Sequence, residues 1–302
     1  MKIENSILKT LVYFDLFRYP LKAGEIRSFL DQSCNEPVFN TALQNLIANE
    51  KIFRLGEFYS LQNDPSLSVR RKQGNERADA LLHIAEKIAP VLYKFPYVRA
   101  VGVSGSVSKN FADENADIDY FIITKANRLW IARTLLHLFK KLPFLKNRNQ
   151  HYCMNYFVDE AELVIEEKNI YTATELFTLI PMAGNGSLHK LFETNDWCNS
   201  YFPNKILPSV KTSLKKIIPW YKSLAESALN NKLGDWLDDY CWRLTTKRWK
   251  KKENEERLNT KGERMGLKTS KHCSKPTPVF FHDWFMNKYE TKLEESKKHW
   301  DL

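Results

Sequence analysis

The sequence predicts an α+β fold in which a mixed β-sheet is flanked by helices, preceded by a small helical domain and followed by a helical region. Three observations support this prediction. Apolar residues recur at helical spacing in the first 50 residues, strand-like apolar segments alternate with helices between residues 75 and 160, and helix signals return after residue 171. We therefore divide the chain into residues 1–66, 75–170 and 171–302.

The composition is that of a folded protein without membrane helices. Apolar residues make up 43% of the 302 residues and aromatic residues 13%, which is enough to fill cores. No apolar run approaches the roughly 20 residues that a membrane-spanning helix needs. Glu4, Lys9 and Asp15 interrupt what would be the apolar part of a signal peptide, and the five cysteines are scattered. We expect a cytoplasmic protein with no membrane partner.

Residues 1–66 are predicted to form three helices and a β-hairpin. Apolar positions between Ile7 and Phe17 suit a first helix, which ends before the Tyr19-Pro20 pair because the residue before proline avoids helical angles. A second helix is predicted around Glu25 to Leu30 and a third from about Glu36 to Asn49. The segment IFRLGEFYSL then alternates around Gly56 like a two-stranded wing. This segment resembles a winged helix-turn-helix domain.

The resemblance implies DNA binding, which makes a winged-helix regulator one alternative function. The charges argue against it, because residues 34–50 contain no Lys or Arg and residues 1–61 contain seven basic and seven acidic side chains. Binding to duplex DNA depends largely on neutralising phosphates. We therefore expect this segment to serve packing or protein contacts.

Residues 75–170 are predicted to alternate between helices and strands. An amphipathic helix covers Ala78 to Ile88, followed by the strand VRAVGV and a turn at SGS. A second strand, DIDYFIIT, ends in a continuous apolar run that is typical of a buried strand. A helix from about Asn127 to Lys140 and a third strand, YCMNYFV, complete the pattern.

Paired aspartates open the second predicted strand, where Asp117 and Asp119 flank Ile118. Successive side chains of a strand point to opposite faces, so both carboxylates should project to the same side with their α-carbons about 6.6 Å apart. Two carboxylates this close repel each other unless a divalent cation compensates them. We predict that Asp117 and Asp119 bind Mg²⁺ or Mn²⁺. The alternative is a solvated strand end without a ligand.

A turn rich in small residues follows the first predicted strand. It consists of Ser104, Gly105 and Ser106, and Gly105 precedes Asp117 by twelve residues. Because Gly105 has no side chain, the backbone N–H groups of the turn can approach a triphosphate, and Ser106 adds a hydroxyl donor. We predict that these three residues bind a nucleoside triphosphate. A Gly-Ser pair alone is common in turns, so the prediction depends on its combination with the aspartates.

The Gly105-Ser106 turn and the Asp117-Ile118-Asp119 motif together resemble the nucleotidyltransferase superfamily, whose members include DNA polymerase β. The resemblance covers about Leu81 to Val158. It implies metal-dependent transfer of a nucleoside monophosphate from a nucleoside triphosphate to an acceptor hydroxyl, with release of pyrophosphate. The acceptor hydroxyl then belongs to a small molecule, a protein or an RNA end.

The chain departs from the family pattern at two positions. Asn155 stands where a neighbouring strand commonly supplies a third carboxylate, and Ala116 stands where Ser is often found. We therefore name Asp117, Asp119 and Asn155 as the candidate catalytic residues, with Asp159 or Glu160 as substitutes for the missing carboxylate. Because asparagine cannot act as a base, a catalytically degenerate nucleotide-binding sensor or scaffold is the second hypothesis.

Residues 171–302 carry helix signals and most of the net charge. Thr172 and Glu175 have the spacing of a capping box, and the helix that they begin is predicted to end at Pro181-Met182-Ala183-Gly184. After about residue 205 the chain is predicted to be mostly helical. A pocket lined by polar and aromatic residues is a further prediction, with helix packing as the alternative reading; its candidates are Asn195, Trp197, Tyr201 and Asn204.

A basic stretch, residues 243–275, accounts for most of the formal charge of +10. Between residues 241 and 277 there are twelve Lys and Arg against four Asp and Glu. Interleaved Trp and Lys could bind a nucleic acid or an acidic partner. A solvated linker is the alternative, because the apolar content is low.

Overall fold

The computed structural model describes residues 2–142, 145, 151–206, 208, 219–256, 258, 265–278 and 281–299. Within these residues the protein is α+β, with eleven α-helices and two β-sheets. None of the described helices combines the length and the apolar character needed to cross a membrane. The helices are α1 (Lys2–Asp15), α2 (Ala23–Ser28), α3 (Glu36–Ala48), α4 (Ser66–Tyr93), α5 (Gly105–Ser108), α6 (Leu129–Lys140), α7 (Ile170–Thr178), α8 (Asn185–Thr194), α9 (Trp220–Ala228), α10 (Lys232–Asn254) and α11 (Phe281–His299). The strands are β1 (Leu21–Lys22), β2 (Phe53–Leu55), β3 (Phe58–Ser60), β4 (Val98–Ser104), β5 (Asp119–Thr124), β6 (Cys153–Asp159), β7 (Ile180–Ala183), β8 (Met265–Thr269) and β9 (Cys273–Pro278).

The first 60 residues contain the three predicted helices and the predicted hairpin. Helix α3 begins where Asn35 caps it, because the Asn35 side chain accepts a hydrogen bond from the backbone N–H of Val38 at 3.0 Å. Strands β2 and β3 turn at Gly56, whose φ of +71° lies in the region that favours glycine. A short strand that was not predicted, β1, pairs with β3 and gives an antiparallel sheet in the order β1-β3-β2.

The larger sheet is mixed and has the order β7-β4-β5-β6-β9-β8. Strands β5 and β6 run parallel, and every other neighbouring pair is antiparallel. Tyr120 and Ile122 point to the face covered by α4, α6 and α10. Phe121 and Ile123 point to the opposite face, where they join α7, α11 and the N-terminal helices in one apolar core. The N-terminal domain thus packs against the rest of the protein through a shared core.

Three strands of this sheet lie in the region that was predicted to be helical. Strand β7 follows α7 directly, where the sequence predicted the end of a helix, and β8 and β9 extend the sheet beyond β6. Pro181 is tolerated in β7 because β7 is an edge strand, and an edge strand can lack one ladder donor. The predicted helical C-terminal region therefore also contains strands that were not predicted.

The predicted capping box at Thr172 and Glu175 is also wrong. Helix α7 begins three residues earlier than this motif implies, because Asn169 is its N-cap and accepts the backbone N–H of Thr172 at 2.9 Å. Thr172 is consequently inside the helix. Glu175 is released from a capping role, and its side chain points elsewhere.

The first part of the basic stretch belongs to a packed helix. Residues 243–254 form the second half of α10. The helix is anchored by Trp242, whose indole stacks on Trp130 with ring centroids 6.5 Å apart and donates a hydrogen bond to the Thr269 hydroxyl at 3.1 Å. The linker interpretation does not hold for these residues. Residues 257 and 259–264 of the stretch lie outside the described part of the chain.

Candidate active site

The Gly105 turn lies directly against Asp119. Ser104 ends β4 and pairs with Asp119 at the start of β5, which brings the turn and the aspartate to the same edge of the sheet. Gly105 has a φ of +74°, and a β-carbon added to it would lie 2.4 Å from the Asp119 Oδ2 atom. Glycine is therefore required both by the backbone conformation and by the approach of the carboxylate.

Asn155 is the immediate neighbour of Asp119 on the next strand. The register of β5 and β6 shifts between Tyr120 and Phe121, so that Asn155 is the extra residue of a β-bulge. Its Nδ2 atom donates a hydrogen bond to the Asp119 Oδ1 atom at 2.5 Å. The residue predicted to replace the third carboxylate therefore contacts the predicted metal ligand.

Asp117 lies close to this pair but outside the strand. The ladder between β4 and β5 begins only at Asp119, which corrects the prediction that both aspartates belong to the strand. Asp117 is exposed, Ile118 is fully buried and Asp119 is half-buried, as expected for side chains that alternate in direction. Burial, together with smaller contributions from Asp119 and Asp117, raises the pKa of Cys153 to about 11. Both carboxylates are therefore near this thiol, which is protonated at neutral pH.

The carboxylate of Glu175 reaches the same turn from α7. Its Oε2 atom accepts the backbone N–H of Gly105 at 3.4 Å, and its Oε1 atom accepts the Lys109 ammonium at 2.6 Å. Lys109 also donates to the Gly105 carbonyl at 2.9 Å. These contacts of Glu175 were not predicted from the sequence, where its spacing from Thr172 suggested a capping residue. The available signal was that Glu175 is the one charged residue among the nine residues of α7.

Two adjoining cavities of about 220 and 250 Å³ meet at this turn. Gly105 and Glu175 line both of them. Asp119 and Asn155 line the first, whereas the exposed Ser106 lines the second; Asp117 lines neither. The other walls of the first cavity include four aromatic rings and one lysine, namely Phe121, Tyr156, Tyr171, Phe281 and Lys275. The cleft therefore combines carboxylates and an amide at one end with an aromatic interior.

The N-terminal helices form one wall of the second cavity. Tyr13 of α1 and Phe17 in the turn after it line this cavity, and so does Tyr19, whose hydroxyl donates a hydrogen bond to the carbonyl of Lys109. Phe111 completes this wall and packs edge-on against Tyr19, with ring centroids 5.6 Å apart. The N-terminal domain is thus part of the cleft.

Neither Asp159 nor Glu160 replaces Asn155 as a carboxylate in the cleft. Asp159 is fully buried at the opposite end of β6, where it accepts the backbone N–H of Asn127 at 2.8 Å and contacts His272 Nδ1 at 2.8 Å. Glu160 accepts the Ser187 hydroxyl at 2.6 Å. Both carboxylates hold the fold, so the substitution suggested by the sequence is wrong.

The candidate pocket formed by Asn195, Trp197, Tyr201 and Asn204 is not part of either cavity. Asn195 is buried and its side-chain oxygen accepts the backbone N–H of Ile165 at 2.8 Å. Asn204 accepts the backbone N–H of Cys34 at 3.0 Å and thereby ties the C-terminal half to the N-terminal domain. The packing interpretation of these residues is the one that the contacts support.

Within the described residues, no group of three or more His, Cys, Asp or Glu side chains is arranged to hold a metal ion.

Comparisons with known proteins give no assignment. No protein-family model matches the chain, and a search of curated proteins and of solved structures finds no match to it.

Proposed function

We propose that this protein transfers a nucleoside monophosphate from a nucleoside triphosphate to an acceptor hydroxyl and releases pyrophosphate. The observation that carries the proposal is the contact between the Gly105 turn and Asp119 at the mouth of a cavity. The order of the elements supports it further, because a helix, a strand, a Gly-Ser turn and a second strand that begins at Asp119, two residues after Asp117, resemble the nucleotidyltransferase pattern. The N-terminal winged-helix-like domain then serves as a wall of the cleft.

The turn offers donors for a polyphosphate. The backbone N–H of Gly105 and the Lys109 ammonium are both held by Glu175, which places a carboxylate where an anionic ligand would bind. A triphosphate carries more negative charge than one carboxylate, so it competes with Glu175 for the same two donors. The Ser106 hydroxyl is exposed beside them. These groups bind and orient the phosphates.

The oxygen donors at Asp117 and Asp119 fit Mg²⁺ or Mn²⁺. Magnesium is usually bound through one or two carboxylates, with substrate phosphates and water completing the octahedron, so a third protein carboxylate is not required. When bound, the metal supplies charge neutralisation at the attacked phosphate. Asn155 fixes the orientation of the Asp119 carboxylate through the 2.5 Å hydrogen bond. We assign Asn155 as a positioning residue.

The proposal is tested with the full chain, magnesium or manganese, and each of the four labelled ribonucleoside triphosphates. Acceptors are total RNA, a set of small hydroxyl compounds and the protein itself, and the measurements are label transfer and pyrophosphate release. Asp119→Ala and Asp117→Ala should each lower turnover by at least about 100-fold, because each removes a proposed ligand of the metal ion that neutralises charge in the transition state. Asp79→Ala removes an exposed acid on α4 and should leave turnover unchanged. Turnover that survives both active-site substitutions would contradict the proposal.

A second candidate function is a nucleotide-binding sensor without turnover. The hydrogen bond from Asn155 to Asp119 favours it, because an amide occupies the position at which a third carboxylate would otherwise contribute charge. Calorimetry that detects triphosphate binding, while no acceptor or metal yields pyrophosphate, would select the sensor. DNA binding through α3 is not proposed, since its exposed positions, including Asn40 and Gln44, carry no Lys or Arg.

A further inference from the structure

Helix α10 carries a continuous exposed line of aromatic and cationic side chains. Its members are spaced three or four residues apart, so they share one face of the helix. All of them are exposed, and from the first to the last they extend over about 27 Å of helix. The members of this line are Trp236, Tyr240, Arg243, Lys247, Lys250 and Asn254.

The opposite face of α10 holds the helix on the protein. Gly234 and Asp238 are buried, and the Asp238 carboxylate accepts the backbone N–H of Ile131 at 2.8 Å. Trp242 stacks on Trp130. The exposed line is therefore presented on a fixed support, and its side chains do not depend on a flexible linker for their positions.

The cations of the line are not compensated within the described chain. Residues 243–254 contain six Lys and Arg and one Glu. Arg243, Lys247 and Lys250 form no ion pair with any described residue, whereas the neighbouring Lys251 approaches Glu255 at 3.8 Å. Like charges three and four residues apart destabilise an isolated helix. An anionic ligand along this face would relieve that repulsion.

The aromatic end of the line is a stacking surface. The rings of Trp236 and Tyr240 lie nearly parallel, with an interplanar angle of 14° and centroids 5.6 Å apart. Trp236 is 61% exposed and Tyr240 is 50% exposed. Exposed aromatic rings that continue into a row of cations match a single-stranded nucleic acid, because bases stack on the rings and phosphates pair with the cations.

We infer that the exposed face of α10 binds single-stranded nucleic acid. A duplex would contact only the cations, since its bases are already stacked on each other. An acidic protein would pair with the cations but has no bases to stack on the two parallel rings. This site is independent of the proposed transferase function. Helix α10 covers one face of the large sheet, and α7, which lines the cleft, covers the other.

The test measures fluorescence anisotropy of the full chain with labelled 12-nucleotide oligouridylate, oligodeoxythymidylate and a 12-base-pair duplex, between 50 and 200 mM salt. Single strands should bind more tightly than the duplex. Trp236→Ala should weaken single-strand binding at least about 5-fold and leave duplex binding unchanged. Lys247→Glu with Lys250→Glu should weaken both and reduce the salt dependence. Trp284→Ala, which removes a 55% exposed indole on α11, is the matched control and should change neither.

Several outcomes would overturn the inference. One is absence of binding to every nucleic acid at 50 mM salt, and another is equal binding of single strand and duplex that Trp236→Ala does not change. Selective sedimentation with anionic lipid vesicles, or a dimer that Trp236→Ala dissociates, would assign the face to another occupant. Circular dichroism of each variant establishes that it is folded, and Tyr240→Leu repeats the stacking test at a second position. Asp119→Ala should retain nucleic-acid binding, which separates this result from the outcome of the transferase assay.

Discussion

The β5–β6 pair carries one carboxylate at each end, and the two differ in their burial and in their hydrogen bonds. At one end Asp119 is half-buried, lines a cavity and is oriented by Asn155. At the other end Asp159 is fully buried, and its oxygens accept the backbone N–H groups of Asn127 and Ala161, while His272 lies 2.8 Å away. A carboxylate whose oxygens are saturated inside the protein supports the fold. A carboxylate that faces a cavity beside a glycine turn is placed to meet a ligand.

Of the substitutions that follow from this comparison, we expect the one at Asp159 to cause the largest loss of stability. Asp159→Ala should lower the free energy of unfolding by about 3–5 kcal/mol, because it removes a fully buried acceptor from the backbone N–H groups of Asn127 and Ala161 and from His272, and opens a small void. Asp119→Ala should lower it by less than about 1 kcal/mol, since its surroundings can rehydrate through the cavity. Urea denaturation at neutral pH measures both values. Similar losses for the two variants would break the distinction between the two ends.

The proximity of the Gly105 turn to Asp119 could be predicted from local patterns along the chain. Gly105 and Asp119 are joined by a single loop between paired strands, and period-two patterning was sufficient to place them at one edge. The same kind of local signal placed the three helices and the hairpin of the N-terminal domain. The predicted helix boundaries were less accurate. The start of α7 was predicted at Thr172, whereas its N-cap is Asn169, three residues earlier.

The contact of Glu175 with this turn depends on distant pairing that no local pattern reports. Glu175 is 70 residues from Gly105, and it reaches the turn only because β7 pairs with β4 and brings α7 over the sheet. Strand β9 contains Pro276 and Pro278, and β8 follows a highly charged segment of the sequence. Their pairing with each other and with β6 outweighs their weak strand propensity. The secondary structure of such segments is therefore set by their tertiary contacts rather than by their local sequence.

Asp238 extends the comparison of buried carboxylates, because it is buried like Asp159 but only one of its two oxygens accepts a hydrogen bond from a described residue. Its Oδ1 atom accepts the backbone N–H of Ile131, and its Oδ2 atom has no partner among the described residues. Burial raises its pKa from 3.8 to about 6. A carboxyl group whose pKa is higher in the folded state stabilises the protein most below its unfolded pKa. That contribution is lost as the pH rises from about 4 through about 6.

Asp238→Asn should therefore remove part of the pH dependence of stability. Between pH 4 and pH 7 the parent should lose about 2–3 kcal/mol relative to the variant, since each pKa unit corresponds to about 1.4 kcal/mol. The measurement is urea denaturation of both proteins at half-unit pH intervals. Parallel curves would show that burial does not raise the pKa of the Asp238 carboxyl group.

A comparison of two glycine substitutions, each with a small predicted effect on stability, isolates the contact between the turn and Asp119. Gly56 and Gly105 have nearly the same backbone angle, with φ values of +71° and +74°, but a β-carbon at Gly56 meets nothing within 4 Å. Gly56→Ala should therefore cost only the conformational strain, about 1 kcal/mol. Gly105→Ala adds a contact at 2.4 Å from the Asp119 Oδ2 atom, which the carboxylate can escape only by turning away from Asn155.

The expected cost of Gly105→Ala in urea denaturation is about 1–2 kcal/mol, little more than that of Gly56→Ala, because a half-buried side chain can move. Its effect on triphosphate binding or turnover should be much larger, and Gly56→Ala should have none. Equal and small effects of both substitutions on ligand binding would mean that the approach of Gly105 to Asp119 is only a packing contact. A loss of ligand binding in Gly105→Ala but not in Gly56→Ala would mean that the turn and Asn155 together maintain the orientation of the Asp119 carboxylate.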